Sequence, residues 1–236
     1  DSNVSDILGR SIPGDTTDLV GCVSQYDRTA PYFSGYQLMP RSASDITGSS
    51  PGSIMTIAGA FVDADSNTIP DLLDSVVTVT GIVTVPTGVL SRTKTDIYIQ
   101  DRTAGCNVYS PSIARVYRLG DSLVVTGKVT VYRGKLELVN PQIAFKDSGH
   151  SLPEPVVITC RELSSTRRWL GSIVALRGVT TNILVVQSGS NTVFDTSGAA
   201  NMYVSSSSDV PGFILVRDTF TLVGVKSQYG PANPPY

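Results

Sequence analysis

Two long stretches, "SVVTVTGIVTV" at 75–85 and "SLVVTGKVTVY" at 122–132, alternate valine with threonine and carry one glycine near the middle, Gly81 and Gly127. Alternation at period two produces a strand with one buried and one exposed face, and it offers a helix no apolar stripe. A glycine inside such a strand marks a bend, which lets a long strand turn a corner in a small barrel. Between the two lie "TDIYIQD", the turn "RTAG", "CNVYS" and the connection "PSIARVYRLGD", in which a short helix is expected. After the second, "RG" makes a two-residue turn into "KLELV". Five strands in this order, two of them long and bent, predict a closed Greek-key barrel over 75–147.

The pattern then returns. Beyond the linker "KDSGHSLPEP", "SIVALRGVTT" parallels the first strand, with Gly178 answering Gly81. "TVFDTSGAANMYVSS" parallels "YIQDRTAGCNVYSP", and "DTFTLVGVKSQY" parallels "DSLVVTGKVTVY", with Gly224 answering Gly127. Nothing after it corresponds to "KLELV". The N-terminal stretch holds that missing part: "DTTDLVGCVSQY" reads as another fourth strand and "SGYQLMP" as the fifth. The chain therefore divides into 1–47, the C-terminal part of a unit acting as a complementing arm, and 48–74, a linker with an Asp-rich loop. A complete barrel at 75–147 and a second barrel at 155–236 lacking its last strand follow.

Composition agrees with an all-β protein. Hydrophobic residues are 41% and charged residues 16% of the 236, and Ser, Thr, Val and Gly dominate, as pleated surfaces favour. No apolar run approaches the roughly 18 residues of a membrane span. No charged-then-apolar leader opens the sequence, so a mature or trimmed product is expected. The net charge of −2 conceals an asymmetry: 75–147 carries nine Lys/Arg against five Asp/Glu. The chain is not the strongly basic kind that dedicates itself to nucleic acid. Cys22, Cys106 and Cys160 lie far apart without a CxxC spacing, which argues against zinc and for three buried, inert thiols.

At "DADSNTIPDLLDSVVTVTGIVTVP", "DIYIQDRTAGCNVYSP" and "LGDSLVVTGKVTVYRGKLEL" the sequence resembles a bacterial extracellular OB-fold repeat family, whose modules occur in secreted nucleases, phosphoesterases and multidomain surface proteins. The resemblance covers roughly 63–147 well, and 155–236 and 15–46 through the internal repeat. It implies two OB-type five-stranded Greek-key barrels, an extracellular or cell-surface location and an accessory role. The second barrel is expected to be completed by the N-terminal segment, in cis or from a neighbouring subunit.

Catalysis finds little to work with. The sole histidine, His150, stands in the linker, so no Ser-His-Asp or Cys-His arrangement assembles without it, and the chain is expected not to be an enzyme. Asp63, Asp65, Asn67 and Asp71 in "DADSNTIPD" offer the clustered oxygens calcium prefers and resemble the "DxDxDGxPD" loops that precede such folds. Here Asn67-Thr68 replaces the Asp-Gly pair, and an Asx-rich turn would use the same residues. For nucleic acid, Tyr98, Asn107 and Tyr109 should point outward, framed by Arg92, Lys94, Lys128, Arg133 and Lys135, the combination of rings and cations that holds single strands.

The unfinished barrel points elsewhere. Its fourth strand, with Leu222, Val225 and Tyr229, would leave a strand edge open, and Phe33, Tyr36 and Leu38 in the arm could close it. The main expectation is a non-catalytic extracellular structural protein that self-associates by strand complementation into a filament or other homopolymer. The alternative is a single-strand nucleic-acid-binding OB accessory module of a secreted nuclease or surface protein.

Overall fold

Period-two patterning carries through to the structure, a computed structural model that describes residues 17–41, 45–48, 54–215 and 219–230. Residues 1–16 and 42–44 of the expected arm, and the Pro-rich end at 231–236, lie outside the described residues. The chain forms two compact units, 1–53 and 54–236.

In the first unit, β1 (Thr17–Leu19), β2 (Cys22–Gln25), β3 (Tyr36–Met39) and β4 (Ile46–Gly48) make two small antiparallel ladders, β1 with β4 and β2 with β3. The loop between β2 and β3 is tied by Asp27, whose carboxylate accepts from the Thr29 and Ser34 amides and the Ser34 hydroxyl. The Asp45 carboxylate accepts three hydrogen bonds from Arg41 ahead of β4. Val23, Phe33, Tyr36 and Leu38 are all exposed. Cys22 is exposed too, against the expectation of three buried cysteines; it stands on a two-stranded ladder with too little apolar cover to bury it.

The second unit begins with α1 (Ile57–Ala60). Thr56 caps it by accepting from the Gly59 amide, and Ile57 and Ala60 enter the core at 0% exposure. Next come β5 (Val76–Val85), β6 (Thr95–Gln100), β7 (Gly105–Ser110), β8 (Ser122–Tyr132) and β9 (Lys135–Asp147). They close a barrel in the order β5-β6-β7-β9-β8, with β8 returning to β5. Every contact is antiparallel except β7 with β9, the Greek-key crossover. Val79, Val83, Ile97, Ile99, Val108, Leu123, Val125 and Leu138 fill the interior. The turn from β8 to β9 is Arg133-Gly134, both at positive φ (52° and 89°), the conformation that suits a two-residue hairpin.

The remaining elements are β10 (Val156–Val157), α2 (Cys160–Ser165), β11 (Ile173–Thr181), β12 (Gly189–Asp195), β13 (Gly198–Val204) and β14 (Phe220–Val225). They form an open sheet, β10-β11-β12-β13, with β14 on the other side of β11. Its core gathers Ile158, Cys160, Leu176, Val179, Val193 and Met202. The repeat shows in its polar joints. Asp101, after β6, accepts from the Ile57 amide at the start of α1 (2.8 Å). Asp195, the last residue of β12, accepts from the Cys160 amide at the start of α2 (2.8 Å). Each also binds the turn that follows it, through Thr103 and Ala104 or through Ser197 and Gly198.

Two expectations about elements change. Residues 111–121 form turns and bends in place of the expected helix, because the Ser112 carbonyl takes both the amide and the hydroxyl of Thr95 and holds the connection against β6. The helices instead precede the first strand of each repeat, and α1 lies inside the stretch 48–74 read as a linker. No helix among the described residues is long and apolar enough to cross a membrane.

Candidate nucleic-acid interface

Strand register lays out the outer face of the barrel. Tyr98 stands opposite Asn107, Asn107 beside Glu137, and Glu137 opposite Thr130. These side chains turn away from the interior, as alternation predicts, yet they do not meet solvent. Tyr98 is 4% exposed and Asn107 0%. The Asn107 amide donates to Asp96 (2.8 Å) and to the Ile97 carbonyl (3.0 Å). Lys135 is paired with Glu137 at 2.6 Å and donates to Asn107. Burial raises the Glu137 carboxyl above its ordinary value, and the Lys135 charge offsets only part of that.

Asn107 is closed in by the barrel's own Asp96 and Lys135, while the Tyr98 end of the face is met by the second sheet and the residues after β14. Gly105 and Gly171 bring two backbones so close that a Cβ on either would lie 2.1 Å from the other's carbonyl oxygen. Gln100 accepts from the Ile173 amide (2.9 Å), the Tyr98 hydroxyl meets the Ser227 hydroxyl (2.9 Å), and the Gly230 amide donates to the Arg133 carbonyl (2.8 Å). Tyr98 and Asn107 are therefore not available to stack on or bind a strand, a correction to the sequence reading. The cause is tertiary: a period-two pattern says that a residue faces outward but not what covers that side.

An edge of the face remains open. The half-buried Tyr109 has the Lys94 ammonium 5.6 Å from its ring, and the hydrogen bond to the Tyr109 hydroxyl raises that ammonium's pKa. Tyr132, 50% exposed, carries Lys135 5.9 Å from its ring and meets Tyr229 edge to face at 6.2 Å. Arg133 lies 4.9 Å over Tyr229, itself 73% exposed. Arg92 is exposed nearby in sequence, while Lys128 is engaged with Asp74 at 2.7 Å. Of the eight expected residues, Tyr109, Lys94, Arg133 and Lys135 belong to this edge. Tyr132 was missed, and Tyr229 had been assigned to assembly. Their signal was present in the sequence: Tyr26, Tyr132 and Tyr229 each follow a glycine by five positions, in three copies of one strand.

In the Asp-rich loop, oxygens of Asp63, Asp65 and Asp71 lie within 4.8 Å of one another. Asn67 does not join them through its carbonyl, which accepts from the Ile69 amide (2.8 Å) while its NH2 donates to Asp65. The Asn67 and Thr68 amides already bind Asp63. Three of the four expected ligands converge, on a loop also knit by Asx turns. The remaining assembly residues divide: Leu222 packs against the core of the open sheet and Val225 is half-buried. His150 is exposed and bonded to Asp147 (2.6 Å).

No family model matches the sequence. A stretch of 95 residues, 39% of this chain, is 38% identical to an endonuclease of Bacillus subtilis (strain 168), YhcR, and spans 8% of that protein. A solved murine DNA-binding protein, bound with double-stranded DNA, superposes with a TM-score of 0.31 at 10% identity, over 67% of this chain and 98% of that one. That score is too low to transfer a fold or a ligand.

Proposed function

We propose that this chain is a non-catalytic, extracellular OB-type module that binds single-stranded nucleic acid on behalf of a secreted nuclease or surface protein. The observation that carries the reading is the stretch shared with an endonuclease. The Tyr109, Tyr132 and Tyr229 edge, each ring with its own cation, supports reading this edge as the binding surface. Exposed rings stack on unpaired bases and tolerate any sequence, and flanking cations follow the phosphates. Lys135 is already paired with Glu137 and Lys128 with Asp74, so affinity should be modest and fall steeply with salt.

Fluorescence anisotropy with a labelled single strand tests this. Tyr132→Ala and Tyr229→Ala should each weaken binding by about 1–3 kcal/mol, while Tyr98→Phe, altered only beneath the second sheet, should leave it unchanged. A duplex of the same sequence should bind less well. Absence of saturable binding at low salt would overturn the reading, and cleavage of the strand would overturn its non-catalytic part. The acidic loop adds one element: Asp63, Asp65 and Asp71 would take calcium as a structural ion rather than a reactive one.

A further inference from the structure

The repeats part company where the barrel closes. In the barrel, Asn107–Tyr109 of β7 pairs in parallel with Glu137–Val139 of β9, and β9 pairs antiparallel with β8. The matching positions in β13, Asn201-Met202-Tyr203, pair only with β12 among the described residues, and β14 only with β11. Asn107 is sealed, whereas Asn201 is exposed and Tyr203 is 70% exposed. Among the described residues no strand joins β13 to β14 as β9 joins β7 to β8.

A strand with the right register stands in the first unit. Counted from the shared glycine, β8 runs from Gly127 to Tyr132, β2 from Gly21 to Tyr26, and β14 with the residues after it from Gly224 to Tyr229. In the barrel Lys128 faces Val139, Val129 faces Leu138, Thr130 faces Glu137 and Val131 faces Leu136. In the hairpin Cys22 faces Met39, Val23 faces Leu38, Ser24 faces Gln37 and Gln25 faces Tyr36. In both, the four residues after the glycine pair in unbroken antiparallel register, although the hairpin's loop is the longer of the two. β3 therefore stands to β2, residue for residue, as the first half of β9 stands to β8. Leu138 is 0% exposed in the barrel core, and its counterpart Leu38 is 45% exposed. A core residue is being carried without a core.

We propose that β3 of one copy enters the β13–β14 seam of a second copy, antiparallel to β14, with Met39 facing Val225 and Gln37 facing Ser227. Leu38 would then cover the open-sheet core beside Met202, as Leu138 does in the barrel. Unpaired strand edges accept such additions through their free amides and carbonyls. The two surfaces are different, so the contact is heterologous and repeats into a ring or an open filament.

Two measurements on the whole chain test this. Directly opposed residues bring Cα atoms to about 4.5–5.5 Å, within disulfide reach. In a Cys22→Ser background, Met39→Cys with Val225→Cys should give a ladder of disulfide-linked dimers and higher species on mild oxidation. Tyr36→Cys with Val225→Cys, out of register, should not. A cross-link confined to single chains would show closure in cis and overturn the proposal, as would no cross-link. By sedimentation the chain should exceed its 25.0 kDa mass increasingly with concentration. Leu38→Lys, at an exposed position that should not disturb folding, should return it to monomer. A single 25.0 kDa species at every concentration would equally overturn the proposal.

Discussion

The barrel and the open sheet are two versions of one design. Each begins with a Thr-capped helix of one turn or two, locked by an aspartate at the end of its second strand. Each runs through a bent first strand, a hairpin and a fourth strand. In the barrel, β9 joins β7 to β8, and Ile97, Ile99, Val108, Leu123 and Leu138 all fall to 0% exposure. In the open sheet Cys160, Val179 and Val193 also reach 0%, but Met202, the counterpart of Val108, is 9% exposed. The difference falls on the side that β9 covers in the barrel. The open sheet makes up part of the difference with Lys226, which occupies the position of the core residue Val129. Its stem is buried and its ammonium donates to the carbonyl of Glu162 in α2 (2.8 Å). Burial lowers that ammonium's pKa.

The largest expected effect follows from this contrast. Leu123→Ala in the sealed core should cost about 3–5 kcal/mol, the upper range for a buried leucine. Leu222→Ala, half-buried in the open sheet, should cost under about 2 kcal/mol because less surface is lost from contact. Equal losses in chemical denaturation would mean that closure does not distinguish the cores. Next comes the joint between them. Gly105→Ala puts a Cβ against backbone, which no rotamer change relieves, and should cost about 1–3 kcal/mol. It should also expose Tyr98 to solvent quenchers of its fluorescence. Unchanged melting and quenching would mean the sheets do not need that close approach.

Much of this was legible in the sequence. Alternation with Gly81 and Gly127 placed the barrel strands, and "RG" placed the hairpin turn, because those signals are local. The recurrence of Gly178 and Gly224 exposed the repeat. α1 was not legible, because "TIAGA" is too short to show a 3.6-residue period and its first amide is held by Asp101, distant in sequence; α2 was within reach, through the Thr159–Glu162 capping box at its start. Nor was the burial of Tyr98, since Gly105 and Gly171 meet only after both sheets have formed, or that of Asn107, whose partners Asp96 and Lys135 come from neighbouring strands. Tyr132 and Tyr229 were within reach of the sequence, because the triplicated tyrosine repeats as clearly as the glycines.

The shared aspartate joint makes a pH test. Burial alone would raise the Asp101 carboxyl, but the Thr103 hydroxyl and the Ile57, Ala104 and Thr103 amides outweigh it and hold the carboxyl below its ordinary value. The Ser197 hydroxyl, then the Cys160 amide, hold Asp195 down to about 2. Both groups bind protons more weakly folded than unfolded. Their stabilisation is thus full above the ordinary carboxylate range near 3.8 and is lost as pH falls, for Asp195 toward about 2. Asp195→Asn should flatten acid unfolding of the open sheet and leave the barrel's unchanged; a profile identical to wild type would remove Asp195 from the joint.

Calcium carries the smallest expectation. Saturating the acidic loop should raise the melting temperature by a few degrees at most, through preferential binding to the folded state, and the effect should vanish in Asp65→Asn. Indifference to calcium and to chelator would leave Asp63, Asp65 and Asp71 as a turn held by amides.

Amide hydrogen exchange on the dilute chain compares the repeats most directly. Amides of Asn107–Tyr109 in β7 and of β8 should exchange only with global unfolding of the barrel, since β9 holds both edges. In β13 and β14, the amides that pair with β12 and β11 should be protected and those on the seam edge should exchange through local opening, orders of magnitude faster. Seam amides as slow as their barrel counterparts in the dilute chain would mean the second repeat is closed after all, and would contradict the account.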